Sequence, residues 1–344
     1  MSKRVVLVGL GATGVAMARS FMERNDLRVV GAADRNPQAV GSDLGDVLGV
    51  EPLGVVVVDD PEKLPEAELA VVATTSDLNQ VAATVLPLVA AGYNVMSICE
   101  ELSFPWVSHA EVSRQIDDAA KASGVTVLGT GANPGVLMDT LPLLLTVLTQ
   151  DAKRITIRRR TNMSRYGAIL RKFGLGLTPD VFETAQAAGE VVGHYGFEQA
   201  IGAVASGLGW ELDAIEVDDV TPVLLAQDLR TGAHLSIAPG QIAAVAHAAR
   251  GLVDGKAVID LEIVFGFFAD GDTVQAGDDY RIEGEEQVLE LSSSVGFESF
   301  LSTIAAAVNT AAAVVDARPG LLSMGDLPVR ELASKGSRLT GVQR

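Results

Sequence analysis

Two adjacent carboxylates, Glu100 and Glu101, follow one residue after residues 94–98, a stretch that is typical of a buried strand. Carboxylates at the end of a buried strand are costly unless they are solvated or paired, and a partly dry cleft raises the pKa of a glutamate toward the range of general acid–base catalysis. A solvated turn explains the adjacency equally well. Cys99 precedes the pair as an alternative nucleophile, although a lone cysteine is more often a small buried apolar residue.

A glycine-rich turn near the start of the chain has the spacing of a dinucleotide-binding site. An apolar run at 5–8 leads into a GxGxxG pattern, and apolar residues at helical spacing follow at 15–23. In such a turn the first glycine permits the tight bend, the second lets the backbone approach a pyrophosphate, and the third permits close helix–strand packing. We therefore predict that the phosphates bind at the helix N-terminus, against Gly9, Gly11, Ala12, Thr13 and Gly14.

The acidic residue expected with this pattern closes a second apolar run, residues 27–33. There, Asp34 can accept hydrogen bonds from both ribose hydroxyls of an adenosine, which favours NAD and repels the 2′-phosphate of NADP. Arg35 can bind that phosphate if Asp34 turns away. The sequence therefore predicts that either NAD or NADP is accepted.

Two further loops follow predicted strands of the same sheet, at the edge where doubly wound sheets bind ligands. The first follows residues 69–73, and its hydroxyls either line the cofactor channel or cap the next helix: Thr74, Thr75 and Ser76. The second is rich in glycine and follows residues 125–128. At the N-terminus of a helix predicted over about 136–149, it is expected to hold the nicotinamide carboxamide with Asn133, Pro134 and Gly135.

Basic residues cluster at 153–172 in an otherwise acidic chain. If residues 154–160 form a strand, Arg154, Arg158 and Arg160 share one face. They can bind a substrate carboxylate, but ion pairing between subunits or domains is the favoured interpretation. The segment also carries apolar side chains that form either the wall of a substrate pocket or part of a core: Tyr166, Phe173 and Leu177.

The order of apolar runs and helical patterns predicts an α/β protein with two domains. Residues 1–149 are predicted to form a Rossmann domain with a doubly wound parallel sheet. After residue 150, strands with alternating residue types, such as 154–160 and 257–268, replace the regular succession of strand and helix. A second α+β domain with a mixed sheet is therefore predicted over 150–299, for substrate binding and dimerisation. An alanine-rich helix at 300–315 is predicted to return residues 300–344 to the first domain.

Composition excludes several classes of function. A formal net charge of −18 argues against nucleic-acid or anionic-membrane partners. No apolar stretch approaches the ~18 residues of a membrane span, and the first apolar run is too short for a signal peptide, so a cytoplasmic protein is expected. A single cysteine and four histidines without paired spacing argue against a disulfide framework and predict no metal site.

Segments spread over nearly the whole chain carry a family resemblance: GLGATG, ICEELSFPW, GTGANPGVLMDTLP, KFGLGLTPDVF, GHYGFEQAIGAVASGLGW and RPGLLSMGDLP. Together they resemble the dihydrodipicolinate-reductase-like family that includes 2,4-diaminopentanoate dehydrogenases and native amine dehydrogenases. The most specific pieces are CEEL and GTGANPG. The aromatic Tyr195 and Phe197 depart from the family pattern and leave the substrate size open, and the adjacent histidines of true dihydrodipicolinate reductases are missing from the sequence.

The resemblance implies an NAD(P)-binding Rossmann domain, a C-terminal α/β domain with an open sheet, and a homodimer. It implies reversible oxidative deamination of an amine that lacks an α-carboxylate, which in reverse is reductive amination of a ketone or aldehyde with ammonia. It also implies that a glutamate of the CEEL element, Glu100 or Glu101, is the catalytic residue of an otherwise apolar pocket. His194 resembles a pocket histidine of the family.

Alternatives to an amine dehydrogenase remain at this stage. One is a dehydrogenase of the 2,4-diaminopentanoate type, and another is a cyclic-imine or carbonyl reductase on the same scaffold, which does not require ammonia. A third is a non-catalytic protein that senses a dinucleotide. The carboxylate pair favours amine oxidation, because a carboxylate can deprotonate the substrate ammonium and stabilise the iminium cation that follows.

Overall fold

A parallel sheet lies at the centre of the first of the two units into which the chain divides. The computed structural model describes residues 2–167 and 169–328. Within them, the first unit contains the chain up to Val136 and again from Phe300, and the second unit is Leu137–Ser299. The predicted boundary at residue 149 therefore falls inside the second unit, whereas the helix predicted at 300–315 belongs to the first.

Short apolar runs form the strands of the first sheet, because a strand in a parallel sheet is buried on both faces. In the described residues this sheet has seven strands: β1 Lys3–Val8, β2 Leu27–Ala33, β3 Val57–Val58, β4 Leu69–Val72, β5 Asn94–Ser97, β6 Thr126–Gly129 and β16 Gly320–Leu322. Their order is β16-β6-β5-β4-β1-β2-β3, so the strand order reverses between β1 and β4. This reversal is the point at which doubly wound sheets bind ligands, and it confirms the predicted Rossmann-like fold class.

Helices cover both faces of this sheet: α1 Ala12–Met22, α2 Leu44–Leu48, α3 Leu78–Ala90, α4 Ala110–Ser123 and α9 Ser299–Val315. One core contains side chains of α1 and α9, such as Phe21 and Val308. The other contains side chains of α3 and α4, such as Val81 and Ile116. Helix α4 ends at Gly124, which adopts a left-handed conformation with φ +69°.

A mixed sheet forms the second unit, as predicted. In the described residues its strands are β7 Arg154–Asn162, β8 Ala214–Val217, β9 Thr221–Leu225, β12 Ile242–Val253, β13 Lys256–Gly266, β14 Gly277–Glu283 and β15 Val288–Ser293. Their order is β15-β14-β7-β13-β12-β8, with β9 also paired to β12. Strands β7 and β13 run parallel, and the other pairs are antiparallel. Strands β10 Arg230–Thr231 and β11 Ser236–Ile237 pair separately.

The helices of the second unit are α5 Thr140–Thr146, α6 Ile169–Lys172, α7 Pro179–Ala187 and α8 Phe197–Leu208. The apolar face of α8 joins the core of the mixed sheet, where Ile201 and Val204 are buried together with Ile259 and Leu261. In neither described range of the chain is any helix both long and apolar enough to cross a membrane.

The helix predicted over 136–149 is wrong in extent, because residues 133–139 form turns and only Thr140–Thr146 is helical. The side chain of Asp139 accepts a hydrogen bond from the Thr140 N–H at the N-terminus of the helix. Pro142 lacks an N–H, and it fits the first turn of a helix better than its interior. Pro134 therefore does not mark a helix N-terminus, contrary to the prediction.

Candidate functional site

The glycine turn between β1 and α1 is tightly packed at two of its three glycines. Gly9 has φ +94°, and a Cβ atom there would lie 2.5 Å from the carbonyl oxygen of Ala73. A Cβ atom on Gly14 would collide with the carbonyl oxygen of Gly9. Side chains are thus excluded at both positions, as the predicted roles in the bend and in helix–strand packing require.

The middle glycine of the turn, Gly11, faces open space, since no atom lies within 4 Å of a Cβ built there. Helix α1 begins directly after it, at Ala12. The first N–H groups of a helix have no partner within the helix, and together with the helix dipole they favour an anion. An open backbone beside a helix N-terminus fits the pyrophosphate of a dinucleotide, with Ala12, Thr13 and Gly14 as the predicted donors.

Asp34 is held in place at the carboxyl end of β2 by two backbone N–H groups. One carboxylate oxygen accepts a hydrogen bond from Leu10, in the glycine turn, and the other accepts one from Asn36 at 2.7 Å. The prediction that either cofactor is accepted depended on Asp34 turning away, and such a rotation breaks both bonds. Arg35 beside it is exposed.

A cleft of about 340 Å³ lies at the carboxyl edge of the first sheet. It brings together six of the thirteen predicted cofactor-binding residues: Gly9, Gly11, Asp34, Arg35, Thr74 and Thr75. Sequence reasoning missed three polar residues of its wall: Asp59, Gln80 and Thr84. Asp59 directly follows β3 in the sequence just as Asp34 follows β2, and this position is a signal that could have identified it. The two residues of α3, Gln80 and Thr84, leave no comparable signal.

The loop after β4 connects this cleft to the carboxylate pair. Thr75 Oγ1 accepts a hydrogen bond from the N–H of Asp77 at 3.3 Å, and Asp77 caps α3 by accepting one from Gln80 at 2.9 Å. Ser76 lies between them, and its carbonyl oxygen accepts a hydrogen bond from the thiol of Cys99, the residue before the carboxylate pair. Ser76 therefore lies next to the CEEL element, while Thr74 and Thr75 line the cleft.

The two glutamates occupy different environments although they are adjacent in a 3-10 turn, Glu100–Leu102. Burial raises the pKa of Glu100, the negative charge of Glu101 adds to this, and the hydrogen bond with Ser76 opposes it. Glu101 accepts a hydrogen bond from the N–H of Leu78 at the start of α3, with 2.7 Å between N and Oε2. Glu100 is therefore the carboxylate suited to hold a proton, and Glu101 is the one tied to the backbone.

Cys99 does not support the alternative of a thiolate nucleophile. Its side chain is buried, and its thiol donates a hydrogen bond to the carbonyl oxygen of Ser76 at 3.0 Å. Burial raises the pKa of this thiol to about 12, so the reactive thiolate is scarce at neutral pH. Cys99 packs in the core between α3, α4 and the sheet, as most lone cysteines do.

The glycine-rich segment after β6 forms a close turn rather than a helix entry. Gly135 has φ +124°, and a Cβ atom there would lie 2.5 Å from the backbone nitrogen of Gly131. The N–H of Ala132 donates to Thr303 Oγ1 of α9 at 3.1 Å. Asn133 is half-buried and Pro134 is buried. The predicted nicotinamide-binding residues thus lie on a turn fixed to α9.

The predicted pocket residues of the second unit lie around one core. The ring of Phe173 stacks on that of Phe265, with centroids 4.6 Å apart. The ring of His194 lies 4.8 Å from Phe197 and 6.1 Å from Phe265. Tyr166 and Leu177 are partly buried against the same core. The structure thus brings together Tyr166, Phe173, Leu177 and His194, whereas Tyr195 is 49% exposed.

His247, which the sequence did not single out, fixes the segment that carries His194. Its Nδ1 accepts a hydrogen bond from the backbone N–H of His194 at 2.8 Å, so the ring proton is on Nε2, which donates to the carbonyl oxygen of Asp218 at 2.9 Å. Burial lowers the pKa of His247, in agreement with a neutral ring. Two histidines 53 positions apart leave no signal of this contact in the sequence.

The three arginines of β7 on this face are paired with acidic residues of neighbouring strands in their own sheet, and the predicted pairing between subunits stays a prediction. Arg154 and Arg158 both contact Asp260 of β13, at 3.2 and 3.0 Å. Arg160 contacts Asp279 of β14 at 2.7 Å. With acidic partners already present on the neighbouring strands, this face gives no support to a substrate-carboxylate site.

Metal ligands are not gathered at the site: within residues 2–167 and 169–328, no group of three or more histidine, cysteine, aspartate or glutamate side chains is placed to hold an ion. The open glycine turn, by contrast, matches a dinucleotide. The groups of the first unit that are available to contact a ligand are therefore backbone N–H groups, one fixed aspartate and a carboxylate pair.

Two family models match the chain. Residues 136–340 match the C-terminal domain of 2,4-diaminopentanoate dehydrogenase, and residues 3–95 match the N-terminus of dihydrodipicolinate reductase. The 2,4-diaminopentanoate dehydrogenase of Acetoanaerobium sticklandii is 30% identical over 332 residues, which cover 95% of this chain and 93% of the relative. A 4-hydroxy-tetrahydrodipicolinate reductase of Anaeromyxobacter dehalogenans is 41% identical, but only over 21% of this chain and 27% of its own length.

Among solved structures, the amine dehydrogenase from Mycobacterium smegmatis is similar over nearly the whole chain. The TM-score is 0.83 at 25% sequence identity, and the superposition covers 97% of this chain and 98% of the other. The similarity thus extends through both units, as the sequence resemblance predicts.

Proposed function

Because the chain belongs to the 2,4-diaminopentanoate dehydrogenase family of NAD(P)-dependent oxidoreductases acting on amine donors, we propose that it catalyses the reversible oxidative deamination of a small amine. In reverse, the reaction is the reductive amination of a ketone or aldehyde with ammonia. One observation carries the proposal: the carboxylate pair, in which burial raises the pKa of Glu100, is attached through the Leu78 N–H to the start of α3, directly after the loop that lines the dinucleotide cleft.

The chemistry requires a group that accepts a proton from the substrate. An amine loses hydride from its carbon only when its nitrogen is deprotonated and can donate its lone pair. Glu100 takes this proton and becomes neutral, and the negative charge of the neighbouring Glu101 then stabilises the iminium cation in a partly dry site. When bound, the nicotinamide supplies the hydride acceptor. After Glu100 has released this proton, it accepts one from water, and the activated water hydrolyses the iminium to a carbonyl compound and ammonia.

The proposal assigns the remaining predicted residues as follows. The glycine turn, Asp34 and the loop Thr74–Ser76 bind the dinucleotide, and the turn with Asn133, Pro134 and Gly135 holds the carboxamide. Glu101 supports Glu100. The core around His194 supplies the apolar substrate pocket, with Tyr166, Phe173 and Leu177, and a homodimer is the proposed assembly.

The experiment that tests the function is an activity screen. Purified protein is supplied with NAD or NADP and a panel of amines and diamino acids, including 2,4-diaminopentanoate, and formation of reduced cofactor is followed. We expect turnover with at least one amine and, in the reverse direction, strict dependence on ammonia. Carbonyl reduction without ammonia identifies a carbonyl or cyclic-imine reductase, and cofactor binding without turnover on the whole panel identifies a sensor.

The substrate class has a second candidate, a diamino acid of the 2,4-diaminopentanoate type. The identity to the curated dehydrogenase over 95% of the chain favours it. The arginines of β7 already have acidic partners, and this favours an amine without a carboxylate. The ratio of kcat/KM for 2,4-diaminopentanoate to that for a simple alkylamine decides between the two.

Cofactor preference follows from the fixed position of Asp34, and we expect NAD to be preferred over NADP. Its carboxylate is bonded to Leu10 and Asn36 and repels a 2′-phosphate. Asp34→Asn removes the charge with little change in shape, and Arg35 then remains to bind the phosphate. We expect the ratio of kcat/KM for NADP to that for NAD to rise about a hundredfold, the effect of ~2.7 kcal/mol of charge repulsion.

Asp46→Asn is the control for this substitution, because it removes an equal charge from an exposed position on α2. It is expected to leave the cofactor ratio as in the wild type. Equal use of both cofactors by the wild type, or an unchanged ratio in Asp34→Asn, contradicts the assignment of Asp34 as the residue that decides the preference.

A further inference from the structure

His109 lies beside the carboxylate pair on an element that the predicted mechanism does not use. Its Nε2 is 3.5 Å from Oε2 of Glu101, the oxygen that also accepts the Leu78 N–H. Its other ring nitrogen, Nδ1, is 2.9 Å from Oγ of Ser108, which is exposed. The imidazole of His109 thus connects a half-buried carboxylate to a hydroxyl at the surface.

An amine dehydrogenase must release a proton to solvent in each turnover, and such a connection can carry it. Oxidation of an ammonium substrate with NAD and water yields a carbonyl compound, ammonium, reduced cofactor and one free proton. Burial raises the pKa of Glu100, which favours its protonated form, so the enzyme needs a route that returns this proton to solvent. The negative charge of Glu101 contributes to that raised pKa, so Glu101 is the neighbouring group through which the proton can leave.

Building on the proposed function, we propose that His109 relays this proton between Glu101 and solvent. In the forward direction the O–H bond of the protonated carboxyl group breaks and an N–H bond forms at Nε2 of His109. The imidazolium then loses the proton on Nδ1 toward Ser108 and the surrounding water, and the ring returns to its starting tautomer by rotation or by exchange with water. His109 acts through Glu101, so it is a positioning and relay residue and not a catalytic one.

Charged groups around the ring suit this role. Asp77, at the start of α3, and Glu101, in the 3-10 turn, both place negative charge near the imidazole. The pKa of Asp77 is lowered, mainly by the hydrogen bond from the N–H of Gln80, and the charge of His109 contributes. Two neighbouring carboxylates stabilise the transient imidazolium, and the exposed Ser108 hydroxyl beside Nδ1 leads to solvent.

The test uses His109→Ala and His109→Gln in the full-length protein, assayed with the best amine of the screen. We expect kcat for His109→Ala to fall about 10²-fold, the lower end for a group that moves a proton. Added imidazole is expected to restore most of the loss in His109→Ala, because a free base can replace the missing ring. His109→Gln preserves the size of the side chain but cannot accept a proton, so it is expected to be equally slow.

A matched control is His234→Ala, which removes an exposed histidine of the second unit. It is expected to keep the wild-type kcat with and without imidazole. A wild type that oxidises no amine overturns the proposed function and the relay together. An active wild type with full activity in both His109 variants overturns the relay alone, and so does a loss that imidazole does not restore and that accompanies a lower Tm.

Discussion

Glu100→Gln is expected to lower kcat for amine oxidation by about 10²–10⁴-fold, the usual contribution of a general acid–base group. Glutamine keeps the size of the side chain but cannot take a proton from the ammonium. Glu101→Gln is expected to lose less, because Glu101 acts through its contacts with Leu78 and His109. Steady-state kinetics with the amine, together with fluorescence titration of the cofactor, separates lost chemistry from lost binding.

The pH dependence of kcat is a second test of the role of Glu100. Glu100 must be ionised to accept the proton, so the wild-type kcat is expected to fall as the pH drops through its raised pKa. The folded protein holds this proton more tightly than the unfolded chain does. The free energy of unfolding of the wild type therefore decreases as the pH rises from the ordinary pKa of glutamate through the raised one.

Glutamine at position 100 does not titrate, so Glu100→Gln is expected to be more stable than the wild type at neutral pH, and thermal denaturation measures this. If Glu100→Gln loses activity while its stability increases, the loss is in the chemical step and does not result from misfolding. Glu111→Gln, on the exposed surface of α4, is the control and is expected to change neither quantity. Near-normal turnover in both Glu100→Gln and Glu101→Gln, with intact cofactor binding, contradicts the mechanism.

Arg159→Met is expected to destabilise the protein by about 3–5 kcal/mol, the typical effect of removing one partner of a buried ion pair. Arg159 and Asp278 are 0% and 1% exposed, and their side chains are joined by two hydrogen bonds of 3.1 Å. Arg159 also donates a hydrogen bond to the carbonyl oxygen of Phe297 at 2.7 Å. The backbone N–H of Phe297 in turn donates one to Asp278 at 2.7 Å. Methionine leaves the carboxylate of Asp278 buried without its cation.

Chemical denaturation measures this loss, with Arg158→Met as the matched control one position away. The side chain of Arg158 is 32% exposed, and Asp260 keeps Arg154 as a partner, so a change below about 1 kcal/mol is expected. The double variant Arg159→Met/Asp278→Leu is expected to recover much of the stability, because no buried charge remains. Equal losses in Arg158→Met and Arg159→Met contradict the buried-pair interpretation.

The first sheet was largely predictable because its strands are local apolar runs. Residues 27–33 were predicted as a strand and form β2 over Leu27–Ala33. Strand β16, by contrast, was not predicted, since Gly320–Leu322 offers only a three-residue run. Helix α5 was predicted too long, because apolar periodicity continues on both sides of Thr140–Thr146 while Asp139 and Pro142 determine where the helix begins.

The carboxylate pair was predicted as a candidate site, but the different roles of its two glutamates were not. The two glutamates are equivalent in the sequence, and only packing raises the pKa of Glu100 and places Glu101 where it accepts a hydrogen bond from Leu78. The same is true of β7, where alternation placed Arg154, Arg158 and Arg160 on one face but gave no sign that Arg159, on the other face, meets Asp278 of β14.

The sequence by itself determined the features that depend on local spacing: the glycine turn, the aspartate after the second strand, the two-part architecture and the family. These follow from periods of a few residues and from the conformations that glycine and proline permit. Only the tertiary structure decided that Asp34 is fixed by Leu10, that Glu100 is the carboxylate with the raised pKa, and that His109 adjoins Glu101. Burial and electrostatics depend on distances between segments far apart in the chain, and those distances exist only after the chain has folded.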